Sequence, residues 1–103
     1  MSEPTLSATE AAILDLLIAQ SRELYGLQLV KLSDGALKRG TIYVTLGRME
    51  EKGFVESREE DETADHIGLR RRLYKPTGLG VRANRAREIA RIVMAGLPVP
   101  RGV

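Results

Sequence analysis

The spacing of the apolar residues changes at Gly53, and this change constrains the fold more than any other feature of the sequence. Before it, Ile42, Leu46 and Met49 are spaced i, i+4 and i+7, which places them on one face of a helix. After it, residues 54–59 alternate between apolar and polar side chains, as a strand with one buried face does. A glycine between the two patterns is typical of the left-handed residue that follows a helix. We therefore predict a helix that leads directly into a strand.

The helix that carries Ile42, Leu46 and Met49 is expected to span about 40–52. Two more helices are predicted before it. Ser7 and Glu10 belong to the capping box S-A-T-E and start a first helix over about 8–21. A second helix is predicted over about 25–32, and the turn residues S-D-G end it. The side chains expected to face the core are Ala11, Ile13, Leu14, Leu17 and Ile18 in the first helix and Leu24, Leu27 and Val30 in the second.

The third helix is followed by a predicted hairpin with a long polar tip. Its strands span about 54–59 and 70–75, and an acidic stretch separates them. Pro76 ends the second strand, and a fourth helix is predicted from about Thr77 to about Gly96. The predicted fold class is therefore mainly α with a small β-hairpin (α+β). In the order α-α-α-β-β-α, these elements make a winged helix-turn-helix.

The composition excludes several classes of function. With 103 residues the chain has the length of one domain, and without cysteine it has neither disulfides nor a cysteine-based metal site. No stretch has the pattern of a secretory signal or a membrane span, which predicts a cytoplasmic protein without a membrane partner. The lone histidine, His66, is accompanied by no nucleophile, paired-carboxylate or phosphate-loop motif. We therefore predict no enzymatic activity, no cofactor and no metal site.

The charge of the chain is divided unevenly along its length. Residues 1–65 hold seven Lys/Arg and thirteen Asp/Glu, a net charge of −6, whereas residues 66–103 hold nine Lys/Arg and one acid, a net charge of +8. Such an asymmetry points to a polyanionic partner. A solvated basic helix explains it equally well, so charge alone leaves both interpretations open.

The face of the third helix opposite its buried stripe is small, polar and basic. Hydroxyl groups and the N–H groups of a helix start suit phosphate oxygens, and an arginine pairs with a guanine edge or a phosphate. Taken singly, each basic residue would be expected to be merely solvated, but their arrangement on the free face favours double-stranded DNA. The residues predicted to contact DNA on and before this helix are Lys38, Arg39, Gly40, Thr41, Tyr43, Val44 and Arg48, together with Tyr25 at the start of the second helix.

Three arginines, Arg70, Arg71 and Arg72, start the returning strand of the hairpin and are also predicted to contact DNA. The hairpin is the wing of the predicted fold, and a wing with this charge is expected to lie along the DNA backbone or to reach a minor groove. The acidic residues 59–62 before it would be repelled by phosphate. They therefore either point away from DNA or pair with the arginines when DNA is absent, and the sequence does not choose between these arrangements.

The fourth helix carries an apolar seam with the spacing 4, 3, 4, 3, 4, which is typical of helices that pack in pairs. The seam either covers the core of its own subunit or packs against a second one. We predict a dimer, because three helices and a hairpin close the domain without it. The residues predicted at the dimer interface are Leu79, Ala83, Ala86, Ala90, Val93 and Leu97. The chain is accordingly divided into a winged helix-turn-helix DNA-binding domain (1–76), a dimerisation helix (77–97) and a disordered tail (98–103).

Three segments of the chain carry a more specific pattern. They are L-Y-G-L-Q-L-V (24–30), G-T-I-Y-V-T-L-G-R-M-E-E-K-G-F-V-E-S (40–57) and G-L-R-R-R-L-Y-K-P-T-G-L-G (68–80). Together they resemble the PadR family of bacterial winged-helix regulators. The resemblance implies a homodimer that represses at operators with two-fold symmetry. It also implies relief by a small-molecule effector, for which the dimer interface is the expected site.

The same resemblance assigns roles to individual residues. Tyr43 matches the tyrosine of the recognition helix, with Thr41 at the helix start. Gly68 matches the wing glycine, and Arg71 and Arg72 match the basic wing positions. The chain departs from the family pattern at Val44, where proline is usual, at Leu69-Arg70, where Arg-Pro is usual, and at Gly78-Leu79, where an acidic pair is usual.

The predicted function is that of a sequence-specific transcriptional regulator, a repressor that binds double-stranded DNA as a homodimer on a pseudo-palindromic operator. The alternative is a winged-helix adaptor or anti-repressor that binds another protein. The basic recognition surface favours DNA. Salt dependence distinguishes the two, because DNA binding releases counterions and weakens steeply as the salt concentration rises.

Overall fold

The computed structural model describes residues 5–61 and 71–98. In chain order they form α1 (Ala8–Gln20), β1 (Leu24–Tyr25), α2 (Gly26–Leu32), α3 (Ile42–Glu51), β2 (Val55–Glu59), β3 (Arg72–Pro76) and α4 (Gly78–Met94). The predicted α+β class and the order of the four helices and the two longer strands are confirmed. The predictions for Arg70, Gly68, His66 and the tail after residue 98 lie outside the described residues.

β3 is the central strand of a three-stranded antiparallel sheet with the order β1-β3-β2. Ser57 of β2 lies opposite Tyr74 on one edge of β3, and Leu24 of β1 lies opposite Tyr74 on the other. β1 was not predicted from the sequence, where a break followed by a helix from Tyr25 was expected instead. Two residues are too few to show an alternating pattern, and β1 forms only because β3, much later in the chain, pairs with it.

α1 begins at the predicted capping box. The backbone N–H of Ser7 donates to Glu10 Oε1 over 2.8 Å, and the backbone N–H of Glu10 donates to Ser7 Oγ over 3.1 Å. The helix ends at Gln20, and Ser21 after it takes up a left-handed backbone conformation with a φ of 53°. Of the side chains of α1 that were predicted to face the core, only that of Ile18 is exposed, so the prediction is wrong for Ile18 alone. Ile18 lies instead on an open groove between α1 and α4.

The buried face of α2 also differs from the prediction. Leu29 and Gly26 are buried, whereas Leu27 and Val30 are only half-buried. The predicted stripe began at Leu24, which is buried but belongs to β1. Because the helical repeat starts at Gly26, Leu29 three positions later is the fully buried side chain; the predicted Val30 packs partly buried against the core, whereas Leu27 does not belong to the core cluster.

α3 buries Ile42, Leu46 and Met49 as predicted. It begins at Ile42, two residues later than predicted, because the residues before it form a turn. Gly53 has a φ of 83°, which confirms it as the left-handed residue after the helix. The remaining buried residues of the core cluster are Ile13, Leu14, Leu17, Leu24, Leu29, Leu37, Phe54, Val55 and Tyr74.

The first turn of α4 packs against the junction of α3 and β2 because residue 80 is glycine. Thr77 Oγ1 accepts the backbone N–H of Gly80 over 3.0 Å and caps the helix. Gly80 is buried, and a Cβ atom built on it would lie 2.1 Å from the carbonyl oxygen of Phe54. α4 ends at Met94, two residues before the predicted end. Although α4 is the longest helix, no helix in the two described ranges has the length and apolar character needed to cross a membrane.

Candidate nucleic-acid interface

The buried stripe of α3 turns the opposite face of the helix to solvent. Tyr43 and Val44 are 52% and 58% exposed although both side chains are large and apolar. Arg48 is exposed one turn after Val44, and the residues that lead into the helix are exposed as well. The structure thus brings together most of the residues predicted to contact DNA. We call this surface the recognition face; it consists of Lys38, Arg39, Gly40, Thr41, Tyr43, Val44 and Arg48.

The positive charge of the recognition face is not neutralised within the described part of the chain. Among residues 5–61 and 71–98, Lys38, Arg39 and Arg48 form no ion pair. Other basic side chains nearby are paired, as Lys52 is with Glu10. Uncompensated cations on one surface are what a polyanion such as nucleic acid requires.

Hydroxyl groups line a pocket beside the recognition face. Thr45 Oγ1 donates to the carbonyl oxygen of Thr41 over 3.1 Å. The i, i+4 spacing of these two threonines is visible in the sequence and is a signal by which Thr45 could have been identified. Residues of α1 and its cap contribute to the same pocket, which depends on the tertiary arrangement and left no signal in the sequence. The lining residues are Ser7, Thr9, Glu10, Thr41, Thr45, Arg48 and Lys52.

A partly buried ion pair holds the end of α3 against the start of α1. Lys52 Nζ lies 2.8 Å from Glu10 Oε2 and also donates to Glu10 Oε1 and to the carbonyl oxygen of Thr5. The Glu10 side chain is only 3% exposed, and that of Lys52 is 33% exposed. Burial, the largest single influence, raises the pKa of Glu10, but Lys52 and the hydrogen bonds from Ser7 together outweigh it. The pKa of Glu10 therefore lies below its ordinary value.

The two described wing arginines are both engaged with acidic residues. The guanidinium carbon of Arg71 lies 4.5 Å from the centre of the Tyr25 ring, and Arg71 Nε lies 3.5 Å from Glu60 Oε2. A guanidinium nitrogen of Arg72 lies 3.9 Å from Glu59 Oε1. Of the two arrangements left open by the sequence, these acids therefore adopt the one in which they pair with the arginines.

Tyr74 lies where the wing and α3 meet. It is buried in the sheet, and this burial is the main cause that raises the pKa of Tyr74 above its ordinary value. The Glu50 carboxylate and the Tyr43 phenol raise that pKa further, whereas Arg72 opposes them. Groups from α3 and from β3 thus act on one phenol, so the recognition face and the base of the wing are neighbours.

The model of the transcriptional regulator PadR-like family matches residues 13–86 of the chain. The chain belongs to the PadR-like family. This family is one of transcriptional regulators, in agreement with the resemblance found in the three sequence segments. Within the described ranges no group of three or more His, Cys, Asp or Glu side chains could hold a metal ion.

Solved structures of PadR-like regulators share the fold. A PadR family regulator from Clostridium difficile R20291 is 28% identical, with a TM-score of 0.62 over 84% of this chain and 92% of that one. A transcriptional regulator from Clostridium thermocellum is 26% identical, with a TM-score of 0.64 over 85% and 87%. Bacillus subtilis PadR in complex with operator DNA is 22% identical, with a TM-score of 0.63 over 95% of this chain and 53% of that one. No curated protein matches the chain.

In this PadR-like chain, α4 exposes most of the seam predicted for dimerisation. Leu79, Ala86, Ala90 and Val93 are exposed on the helix, and Leu97 is exposed just after it. Ala83 differs from the others because it packs partly against the core of its own subunit. The dimer role of these residues stays a prediction.

A groove between α1 and α4 continues the apolar surface of the PadR-like fold. Ile18 of α1 and Val81, Ile89 and Ile92 of α4 line it, with polar side chains at its rim. One rim contact joins the two helices, since Asn84 Nδ2 donates to Asp15 Oδ1 over 2.8 Å. The first half of α4 is therefore attached to α1, whereas the second half of α4 leaves apolar side chains exposed.

Proposed function

We propose that this chain is a sequence-specific transcriptional regulator that binds double-stranded DNA through α3 and the wing. The observation that carries the proposal is the recognition face, in which cations that form no ion pair within residues 5–61 and 71–98 flank the exposed side chains of Tyr43 and Val44. Further support comes from Bacillus subtilis PadR, whose structure was solved with operator DNA and has a similar fold.

α3 has the form of a recognition helix. The major groove of B-DNA is about 12 Å wide and accepts an α-helix. Val44 and Arg48 project from the same exposed face, one turn apart. In the groove, Arg48 would pair with a guanine edge or a phosphate, and Val44 would contact a thymine methyl group. Lys38 and Arg39, which precede the helix, would contact phosphates and set its register.

The wing arginines are proposed to exchange partners when DNA binds. Arg71 and Arg72 are paired with Glu60 and Glu59 in the absence of DNA. Phosphates would replace these carboxylates, while the guanidinium of Arg71 keeps its contact with the ring of Tyr25. Arg70 is proposed to add to this contact.

We further propose that the chain forms a homodimer through α4 and represses from a pseudo-palindromic operator in the bacterial cytoplasm. The exposed seam and the groove between α1 and α4 offer an apolar surface for a second copy to cover. A two-fold dimer presents two recognition faces, which suits half-sites one helical turn, about 34 Å, apart. A small-molecule effector would bind at this interface.

Substitution of Tyr43 or Arg48 by alanine is expected to weaken DNA binding by about 1–3 kcal/mol each, because each removes a contact of the recognition face. The probe is a duplex selected by the wild-type protein from a random double-stranded library, and fluorescence anisotropy measures the affinity. Arg82→Ala is the matched control, since it removes the same charge from the exposed surface of α4. The variants should keep the fold and the oligomeric state of the wild type.

Unchanged affinity in both Tyr43→Ala and Arg48→Ala would contradict the assignment of the recognition face. The titration is repeated at several salt concentrations. For the wild type, the logarithm of the affinity should fall linearly with the logarithm of the salt concentration. Selection of no duplex, together with binding of another protein that is insensitive to salt, would support the adaptor instead.

The double substitution Ala86→Glu and Ala90→Glu is expected to convert the dimer into a monomer, because it places two charges in the apolar seam of α4. Sedimentation equilibrium measures the mass. Ala36→Glu is the control, since it adds an acid at an exposed position away from α4. A double variant that sediments with the wild-type mass would count against the seam as the interface.

A further inference from the structure

The ring of Tyr43 packs against the first residue of α2. A Cβ atom built on Gly26 would lie 2.7 Å from Tyr43 Cε1, 2.9 Å from Cζ and 3.1 Å from the hydroxyl oxygen. These atoms form the outer end of the phenol, which therefore occupies the space that a side chain at residue 26 would need. Real Cβ atoms do not approach other atoms so closely, so the ring keeps this place only while residue 26 is glycine.

The ring is the nearest obstacle to a side chain at residue 26. Gly26 is not among the described residues with a positive φ, so its backbone accepts an ordinary amino acid. All three atoms nearest to the added Cβ belong to Tyr43. Because Tyr43 is half-exposed, its ring can move towards solvent. An alanine at residue 26 would therefore displace the ring and leave the helices in place.

We propose that Gly26 is a positioning residue for DNA recognition, which acts by holding the Tyr43 ring in one orientation on the recognition face. The inference deepens the proposed function and rests on it. A side chain that is already held by packing loses less conformational freedom when it binds than one that rotates in solvent. Gly26 thus strengthens binding through the orientation of Tyr43 without a side chain of its own to touch the DNA.

The test compares Gly26→Ala, Tyr43→Ala and the double variant, with Gly78→Ala as a control outside the recognition face. The probes are the duplex selected by the wild type and a scrambled duplex of the same composition. Gly26→Ala should weaken binding to the selected duplex about tenfold, the typical effect of one lost contact. Its binding to the scrambled duplex should change by less than about twofold, because α3 is not docked there in the register that brings the Tyr43 ring to its contact, and the remaining phosphate contacts do not depend on sequence.

The double variant separates positioning from a general structural effect. In the Tyr43→Ala background there is no ring to displace, so Gly26→Ala should have no further effect on affinity. An equal loss with and without the ring would overturn the proposal, as would wild-type affinity in Gly26→Ala. Loss of the folded circular dichroism spectrum in Gly26→Ala would also overturn it, because the geometry requires that only the ring moves.

Failure of this inference is distinguishable from failure of the proposed function. If Gly26→Ala and Tyr43→Ala both bind like the wild type while Arg48→Ala binds weakly, the inference is overturned and α3 remains the DNA-binding helix. If the wild type selects no duplex at all, the proposed function is overturned, and the inference with it.

Discussion

Gly80→Ala is expected to lower the free energy of unfolding by about 2–3 kcal/mol, as overpacked positions do. The added Cβ would lie 2.1 Å from the carbonyl oxygen of Phe54. A backbone carbonyl cannot rotate away as a side chain can, so the first turn of α4 must shift. The shift would also strain the hydrogen bond of 3.0 Å that the Thr77 N–H donates to the same oxygen. Denaturant unfolding followed by circular dichroism measures the change.

Gly78→Ala is the matched control in the same helical turn. A Cβ at this residue would meet only the end of the Arg82 side chain, at 3.3 Å, and this flexible group can move aside. Alanine is also a better helix former than glycine, by up to about 1 kcal/mol. Gly78→Ala should therefore equal or slightly exceed the wild type. A Gly80→Ala protein as stable as this control would contradict the proposed role of Gly80 in packing α4.

Lys52→Met is expected to lower the free energy of unfolding by about 2 kcal/mol at pH 7. Removal of one partner from a buried ion pair costs about 3–5 kcal/mol, and the effect is reduced here because Lys52 is partly exposed. Methionine keeps the apolar stem of the side chain, so the loss reports the charge. The Glu10 carboxylate, 3% exposed, would be left without its cation. Denaturant unfolding at pH 7 measures this loss.

The pH dependence identifies the carboxylate as the cause. In the wild type the pKa of folded Glu10 is lowered from 4.5, so its contribution to stability is present above that value and is lost as the pH falls through the folded pKa. Without Lys52 the pKa of Glu10 rises, because burial raises this pKa and the lysine that lowers it is gone. The stability difference between variant and wild type should therefore shrink as the pH falls. In the Glu10→Gln background, the stability difference that Lys52→Met causes should not depend on pH. With Glu10 present, a stability difference between Lys52→Met and the wild type that stays constant as the pH falls would contradict this account.

The elements that could be predicted from the sequence are those with a local signal. The stripe of Ile42, Leu46 and Met49 depends only on spacing within one helix, and it also determines which residues of α3 are exposed. The capping box at Ser7 and Glu10 is local in the same sense. For these reasons the order of the helices and most of the recognition face follow from the sequence.

The features that could not be predicted depend on contacts between distant residues. β1 exists only through its pairing with β3, and the exposure of Ile18 follows from the position of α4. The contact between Gly26 and Tyr43 joins α2 to α3, and no pattern within either helix indicates it. Spacing identifies which face of a helix is free, but the orientation of a side chain on that face requires the neighbouring element.

The central strand of the sheet is the last of the three in the chain. β3 is held on both edges, by β2 along its length and by β1 at Leu73 and Tyr74. Because β3 is paired on both edges, we expect it to keep its place when the length or charge of the segment between β2 and β3 changes. A protein built in this way can change the contacts that this segment makes without rebuilding its helices.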